Sequence, residues 1–268
     1  MKTESGEIKD LSHHLIDVVN VVSGWEIVKG IGHGANGVVL VAKKGKVKAV
    51  MKVALKASSS PSLVWEAAVM AHIQNPKWVE DRTRHVVRML DHGRTTNHLN
   101  EEVSFVVMEM LPGNPEFLIQ ANNIKPEERM DKVCEFGLQL LKAVYDLHAV
   151  GLLHRDLKPE NGRVDDLWGW FYCMVEWANC DCNQPLAWAE FLMKSSLFPA
   201  MVVIANCPTH FYSIQLYLRS LTNDVTPDYF YLASLLAEAR HSARRRRPFV
   251  LHPAEKAKKN KFLEGQWY

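Results

Sequence analysis

The sequence lacks any apolar run approaching the roughly 18 residues that cross a bilayer, and its opening stretch, Met1 to Asp10, is polar and charged. Neither a membrane-spanning nor a secreted chain is expected. Cysteine is scarce: Cys134, Cys173, Cys180, Cys182 and Cys207 are an odd number, spread over 268 residues. That argues against a disulfide framework and for a reducing compartment, the cytoplasm or the nucleus. With 14 Gly and 12 Pro the chain is neither collagen-like nor of low complexity. It has no internal repeat, and neither sign of charge dominates its formal net charge of +2.

What is present is an ordinary globular composition, 47% hydrophobic and 23% charged, in a chain long enough for one large domain or two small ones. The charge is unevenly placed. Residues 240–261 hold nine Lys or Arg against one acid, Glu255, whereas the chain before them is net acidic. Arg244 to Arg247 could form a nuclear-import or anion-binding patch, but a solvated basic terminus is the preferred reading, and no nucleic-acid partner is expected.

Hydrophobic patterning divides the chain. From Trp25 to Glu109 short β-branched runs predict strands at Glu26 to Lys29, Val38 to Val41, Val47 to Val53, His85 to Leu90 and Val103 to Glu109. One helix, Ser62 to Ile73, interrupts them. After Pro112-Gly113 the pattern turns helical: Val133, Phe136, Leu140, Val144 and Leu147 share one face of a helix from about Pro126 to His148. Asp165 or Asp166 can cap the next helix. Its residues Leu167, Trp168, Trp170, Phe171, Met174, Val175 and Trp177 are apolar nearly all round, which predicts burial. Thr226-Pro227-Asp228 reads as a further helix start, with Pro at the first helical position. Residues 183–212 yield no defensible assignment; Met201 to Ala205 suits a strand or a buried helix equally.

Three segments carry chemistry. Gly32-His-Gly-Ala-Asn-Gly37-Val-Val39 has the spacing GxGxxGxV, in which glycines let a backbone turn tightly and approach phosphate oxygens. A ligand-free hairpin turn would read the same way. Lys52 lies in the apolar strand Ala49 to Val53, where an ammonium needs either solvent or an anion. Glu66, fourteen residues on, is a plausible partner, although a surface ion pair is the plainer account. His154-Arg-Asp-Leu-Lys-Pro-Glu-Asn161 is the most specific segment. An HRDxxxxN loop supplies a carboxylate, Asp156, to orient and deprotonate an attacking hydroxyl, and an amide oxygen, Asn161, to hold a metal ion. Lys158 would steady the transferred phosphoryl group. Cys180-Asp-Cys182 has no second pair at metal-ligand spacing and is read as a loop.

On these residues, Trp25 to Asn161 resembles a eukaryotic protein kinase, most similar to the casein kinase 1 group and notably its tau-tubulin kinase-like branch. The wording of Ile31-Gly-His-Gly34, Val107-Met-Glu-Met-Leu111 and Leu153-His-Arg-Asp-Leu-Lys-Pro159 carries that likeness. The resemblance implies an α+β, two-lobed kinase-like fold. It would comprise an N-terminal extension (1–24), a β-rich N-lobe with one helix (25–111), a truncated helical C-lobe (112–240) and a basic tail (241–268). It also implies ATP and Mg2+ as cofactors and transfer to Ser or Thr of a protein substrate or partner, with no membrane role. Gly32, Gly34, Gly37, Val39, Lys52, Glu66, Glu109 and Leu111 would bind ATP. Asp156 and Lys158 would be catalytic, Asn161 the metal ligand, Met108 the gatekeeper, and the backbone of Glu109 to Leu111 the hinge that meets adenine. Two positions depart from the pattern: Val50 stands where the family usually has Ala, and Asn36 replaces an aromatic residue.

The larger departure is an absence. Asp-Phe-Gly and Ala-Pro-Glu, which supply the second metal carboxylate and close the activation loop, occur nowhere in the sequence. Asn161 runs straight into Gly162 to Tyr172, which resembles the family's central buried helix. An internal loss of on the order of fifty residues at that junction is the simplest account. The expected consequence is a serine/threonine kinase by family whose activity in this chain is doubtful. The alternative is a pseudokinase-like nucleotide- or partner-binding module.

Overall fold

The computed structural model describes residues 21–34, 37–75, 85–97, 99–113, 115, 118, 124–154, 163–179, 204, 207–222 and 224–245. They form two compact units, residues 1–114 with 142–154 and residues 115–141 with 155–268.

Among its described residues the first unit holds a six-stranded antiparallel sheet, the helix that follows its fourth strand, and the last turns of a later helix, residues 142–149. Its strands are β1 (Val21–Val22), β2 (Trp25–Gly34), β3 (Gly37–Lys44), β4 (Val47–Val53), β5 (Met89–Thr96) and β6 (Glu102–Glu109), in the order β1-β2-β3-β4-β6-β5. Turn chemistry fixes the hairpins. Ser23 and Gly24, with φ of 52° and 81°, make the two-residue turn from β1 to β2, and Gly45, at φ 60°, opens the turn from β3 to β4. The first helix, α1 (Ser60–Ile73), buries Leu63, Ala67, Met70 and Ile73 at helical spacing and leaves Val64 and Trp65 exposed. Leu63, Ala67 and Met70 share one buried cluster with Leu40, Met51, Val53, Phe105 and Val107.

Two strand assignments are corrected. β2 does not stop at Lys29: it continues through Gly30 and Gly32 to Gly34, with register shifts between Ile27 and Lys29 and between Gly30 and Gly32. Bulges absorb the glycines without ending the pairing. β5 begins at Met89 rather than His85 and runs through Asp91, His92 and Arg94, because an edge strand alternates exposed polar and half-buried positions. The Trp25 indole donates to Asp91 Oδ2 at 2.9 Å. β2 and β5 therefore meet although β3, β4 and β6 lie between them in hydrogen-bond order, so the sheet is curled.

The remaining helices among the described residues are α2 (Pro126–Ala149), α3 (Arg163–Asn179), α4 (His210–Ser220) and α5 (Tyr229–Arg245). α2 ends in a Schellman turn: Gly151, at φ 80°, donates to His148 O, and Leu152 donates to Leu147 O at 2.9 Å. In the second unit α3 buries Leu167, Trp170, Phe171 and Met174, and the Trp170 indole donates to Gly137 O on α2 at 2.7 Å. Asp165 and Asp166 lie inside the first turn of α3 and are not its cap. α5 starts two residues later than expected. Asp228, not Thr226, is the cap, its Oδ1 accepting from Tyr231 N–H at 2.8 Å, so Pro227 precedes the cap. α4 was unassigned from sequence; Phe211, Ile214, Gln215 and Leu218 form its buried stripe.

Candidate functional site

The strand register assembles the first half of the site. Gly32, Val39, Lys52 and Val106 occupy one rung across β2, β3, β4 and β6, and Val41, Val50 and Met108 form a parallel rung on the same face. Along β4 the alternation is strict. Ala49, Met51 and Val53 are buried, whereas Val50 and Lys52, on the opposite face, are only half-buried. Lys52 is thus set in a patch of partly exposed apolar side chains, Val39, Val50 and Met108.

Its ammonium is satisfied from outside the sheet. Lys52 Nζ donates to Glu66 Oε2, on α1, at 2.6 Å, with 27% of the lysine and 32% of the glutamate side chain exposed. A pair that open contributes about 1 kcal/mol at most to stability. Its significance is positional: it leaves a fixed cation beside an apolar face, which suits a group that is flat and apolar at one end and anionic at the other.

The glycines of the first motif do different things. A Cβ on Gly32 would meet nothing within 4 Å, so this position is open. A Cβ on Gly37 would fall 2.5 Å from Val53 O and 3.2 Å from Val53 C. Gly37 is therefore demanded by the close approach of β3 to the end of β4 rather than by a ligand alone. Gly34 pairs with Gly37 in the ladder, and Ala35 and Asn36 lie outside the described residues.

At the far end of β6, Glu109 is tied twice to the segment before β5. Its N–H donates to Arg88 O at 2.9 Å, and its carboxylate accepts from Arg88 N–H at 2.8 Å. Met110 and Leu111, which follow, expose 46% and 56% of their surface. Sequence reasoning did not find this Glu109–Arg88 lock, since nothing in the spacing links positions 88 and 109.

His154, which follows the Schellman turn at the end of α2, is exposed. Asp156, Lys158 and Asn161 lie outside the described residues, as does Cys180-Asp-Cys182. Among the described residues no cluster of His, Cys, Asp or Glu is arranged to hold a metal ion, and no helix is long and apolar enough to cross a membrane.

Comparison of the sequence with known proteins gives a family. The family model of the protein kinase domain matches residues 25–165, just over half of the chain. A probable myosin light chain kinase of Dictyostelium discoideum is 32% identical over 143 residues, covering 52% of this chain and 41% of that protein. A CBL-interacting serine/threonine-protein kinase of Arabidopsis thaliana is 30% identical over 150 residues, covering 55% and 27%. A probable serine/threonine-protein kinase of Dictyostelium discoideum aligns more broadly, 22% identical over 277 positions, covering 79% of this chain and 52% of that protein. The chain spans from about a quarter to about half the length of these curated relatives.

Proposed function

The chain belongs to the protein kinase domain family, with serine/threonine kinases among its homologues, and from that premise we propose that it binds ATP through the rung around Lys52 and is impaired in phosphoryl transfer. Family members use ATP with Mg2+, and the residues present fit the nucleotide. Val39, Val50 and Met108 offer the adenine an apolar face, Lys52 offers the phosphates a cation, and the open position at Gly32 leaves the backbone accessible. The observation that carries the reading is the Lys52–Glu66 pair at 2.6 Å. A lysine already oriented by a carboxylate meets a phosphate oxygen with little further ordering.

The proposed catalytic roles follow the motif: Asp156 would orient and accept the proton of the substrate hydroxyl, Lys158 would steady the phosphoryl group, and Asn161 would be the single protein ligand left for Mg2+. When bound, the metal ion would neutralise charge on the phosphates. Without the Asp-Phe-Gly carboxylate that neutralisation is held by half its usual protein ligands. Two observations support an internal loss. The kinase match ends at residue 165, four residues past Asn161. The broad alignment needs 277 positions to cover 79% of 268 residues, about 212, so about 65 positions of that relative have no counterpart in this chain.

Within the family, the casein kinase 1 group and its tau-tubulin kinase-like branch are our assignment, supported by the wording of residues 31–34, 107–111 and 153–159. A protein substrate or partner, and the cytoplasm or nucleus as the location, go with that assignment. The test is direct. Mg-ATP should raise the melting temperature of the purified chain, and transfer of labelled phosphate to casein should not exceed that of the Asp156→Asn variant. Absence of any nucleotide-induced shift, with Lys52→Met behaving as wild type, would remove the nucleotide reading; transfer well above the Asp156→Asn control would remove the impairment.

A further inference from the structure

α1 carries Glu66, yet the six residues between Val53 and α1 contain no strand, and their only regular structure is the short 3-10 turn Ala57–Ser59. What fixes this connection and the start of α1 is the turn between β5 and β6 together with Ser104 of β6. Four hydrogen bonds are involved. Ala54 N–H donates to Ser104 O at 3.0 Å. Asn97 Nδ2 donates to Leu55 O at 2.9 Å. Ala57 N–H donates to Glu101 Oε2 at 3.3 Å. Ser104 N–H donates to Ser60 Oγ, on the first residue of α1, at 2.9 Å.

Asn97 is the centre of this clamp. It is 2% exposed, a buried amide in a surface turn. Besides its bond to Leu55, its Nδ2 donates to Glu101 Oε2 at 3.0 Å, and its Oδ1 accepts from Leu99 N–H and Glu101 N–H, both at 2.9 Å. Every donor and acceptor of the amide is used. A plain Asx turn would need only the Oδ1 contacts. The two Nδ2 bonds point away from the turn's own backbone, to the connection before α1 and to the carboxylate that holds Ala57.

We propose that Asn97 and Glu101 are positioning residues for the nucleotide lysine: by clamping residues 54–60 they set the direction of α1, and so the reach of Glu66 to Lys52. This rests on the nucleotide reading for its functional meaning. The lever is short. Glu66 lies six residues into α1 from Ser60, about 9 Å along the axis. A tilt of roughly 10° about Ser60 would carry its carboxylate through about 1.5 Å, enough to open a charge-assisted bond to no bond. Loss of the clamp therefore lets Lys52 swing free without unfolding the sheet.

Competitive acylation of lysines in the nucleotide-free protein, read by peptide mass spectrometry and normalised to exposed Lys48, measures how tightly Lys52 is held. Asn97→Ala and the milder Glu101→Ala should each raise Lys52 acylation by about fivefold, the equilibrium equivalent of one net hydrogen bond. Glu101→Gln, which keeps an acceptor oxygen, should stay near wild type. The decisive comparison is made on a Glu66→Gln background, where either alanine substitution should add nothing, because its route to Lys52 is already cut. The proposal is overturned if Glu101→Ala keeps the wild-type melt and wild-type Lys52 reactivity, or if the alanine effects multiply undiminished on Glu66→Gln. Adding Mg-ATP separates the two claims. Failure to protect Lys52 in the wild type would defeat the nucleotide reading and leave the clamp result standing.

Discussion

Gly32 and Gly37 read alike in the sequence, as glycines of one phosphate-binding motif, but the structure gives them different reasons to lack a side chain. A methyl group on Gly37 would sit 2.5 Å from the carbonyl oxygen of Val53, whereas an ordinary carbon–oxygen contact is about 3.3 Å or more. About 0.8 Å of relief is needed from a backbone atom of the β3–β4 ladder, which cannot rotate aside as a side-chain end could. Such overpacking costs about 1–3 kcal/mol, offset by about 0.4–1 kcal/mol because alanine restricts the unfolded chain. The net expectation for Gly37→Ala is a loss of about 1–2 kcal/mol, or about 2–8 °C in melting temperature at this chain length. Gly32→Ala meets nothing within 4 Å, so it should melt at or slightly above wild type and instead weaken the Mg-ATP-induced shift. Thermal melts with and without Mg-ATP decide the matter. Gly37→Ala melting at or above wild type, or both variants falling equally, would refute the steric argument.

Two further outcomes follow from the helical unit. Asp131, 5% exposed, accepts from Arg240 Nε and Arg244 Nε, both at 2.8 Å. Burial pushes its carboxyl pKa up, but the two guanidinium groups outweigh burial and hold it below 3.8. Stability from this group is therefore fully present above its unfolded pKa of 3.8 and is lost as pH falls through the lower folded value. Arg240→Ala should cost about 1–3 kcal/mol near neutrality, and its deficit relative to wild type should shrink as the pH of the melt is lowered below 3.8. A deficit that stays constant to the acid limit would contradict this. Cys134 is fully buried, and burial, with the Asp131 charge next in weight, pushes its thiol pKa up to about 12. Iodoacetamide at pH 8 should therefore modify it only as fast as the protein opens, and acceleration by a sub-denaturing dose of urea is the check; rapid modification of the folded chain would be inconsistent with the packing.

Legibility in the sequence followed the range of the interactions concerned. The strands at Val38 to Val41 and Val47 to Val53, and the helix beginning at Pro126, were readable because a local period of two or of 3.6 reports directly on burial. The pairing of Lys52 with Glu66 was proposed from order and type, and the structure brings the two together at 2.6 Å. What the sequence did not yield is non-local. The Trp25–Asp91 bond that curls the sheet, the Glu109–Arg88 lock and the Asn97 clamp each join segments whose separation carries no pattern. β5 was misplaced for a related reason: Asp91, His92 and Arg94 are poor strand formers by composition and succeed only as an edge paired to β6, whose residues Val103 to Val107 are buried. α4 was missed although Phe211, Ile214 and Leu218 have helical spacing and Pro208-Thr209 stands directly before it as a start signal; its 11 residues are too few for the period alone to stand out.

The same division between local and non-local bears on what the junction at Gly162 does to the chain. Catalysis by a kinase is assembled from distant segments, so the internal loss proposed at that junction would remove a metal ligand outright. The described core of the second unit draws on residues that this chain retains. Leu167, Trp170 and Met174 of α3 are fully buried, Trp170 bonds Gly137 O on α2, and the ring of Phe171 lies 6.0 Å from that of Phe211 on α4. All of these partners are present in the sequence on either side of the junction. Chemistry and fold are then separable losses, and the purified chain should melt in a cooperative transition even where it transfers no phosphate. Trp170→Ala, which removes both the indole volume and the donor to Gly137, should cost about 3–5 kcal/mol and abolish that transition near physiological temperature. A broad, non-cooperative melt of the wild type, unchanged by Trp170→Ala, would show that the junction takes the helical core with it.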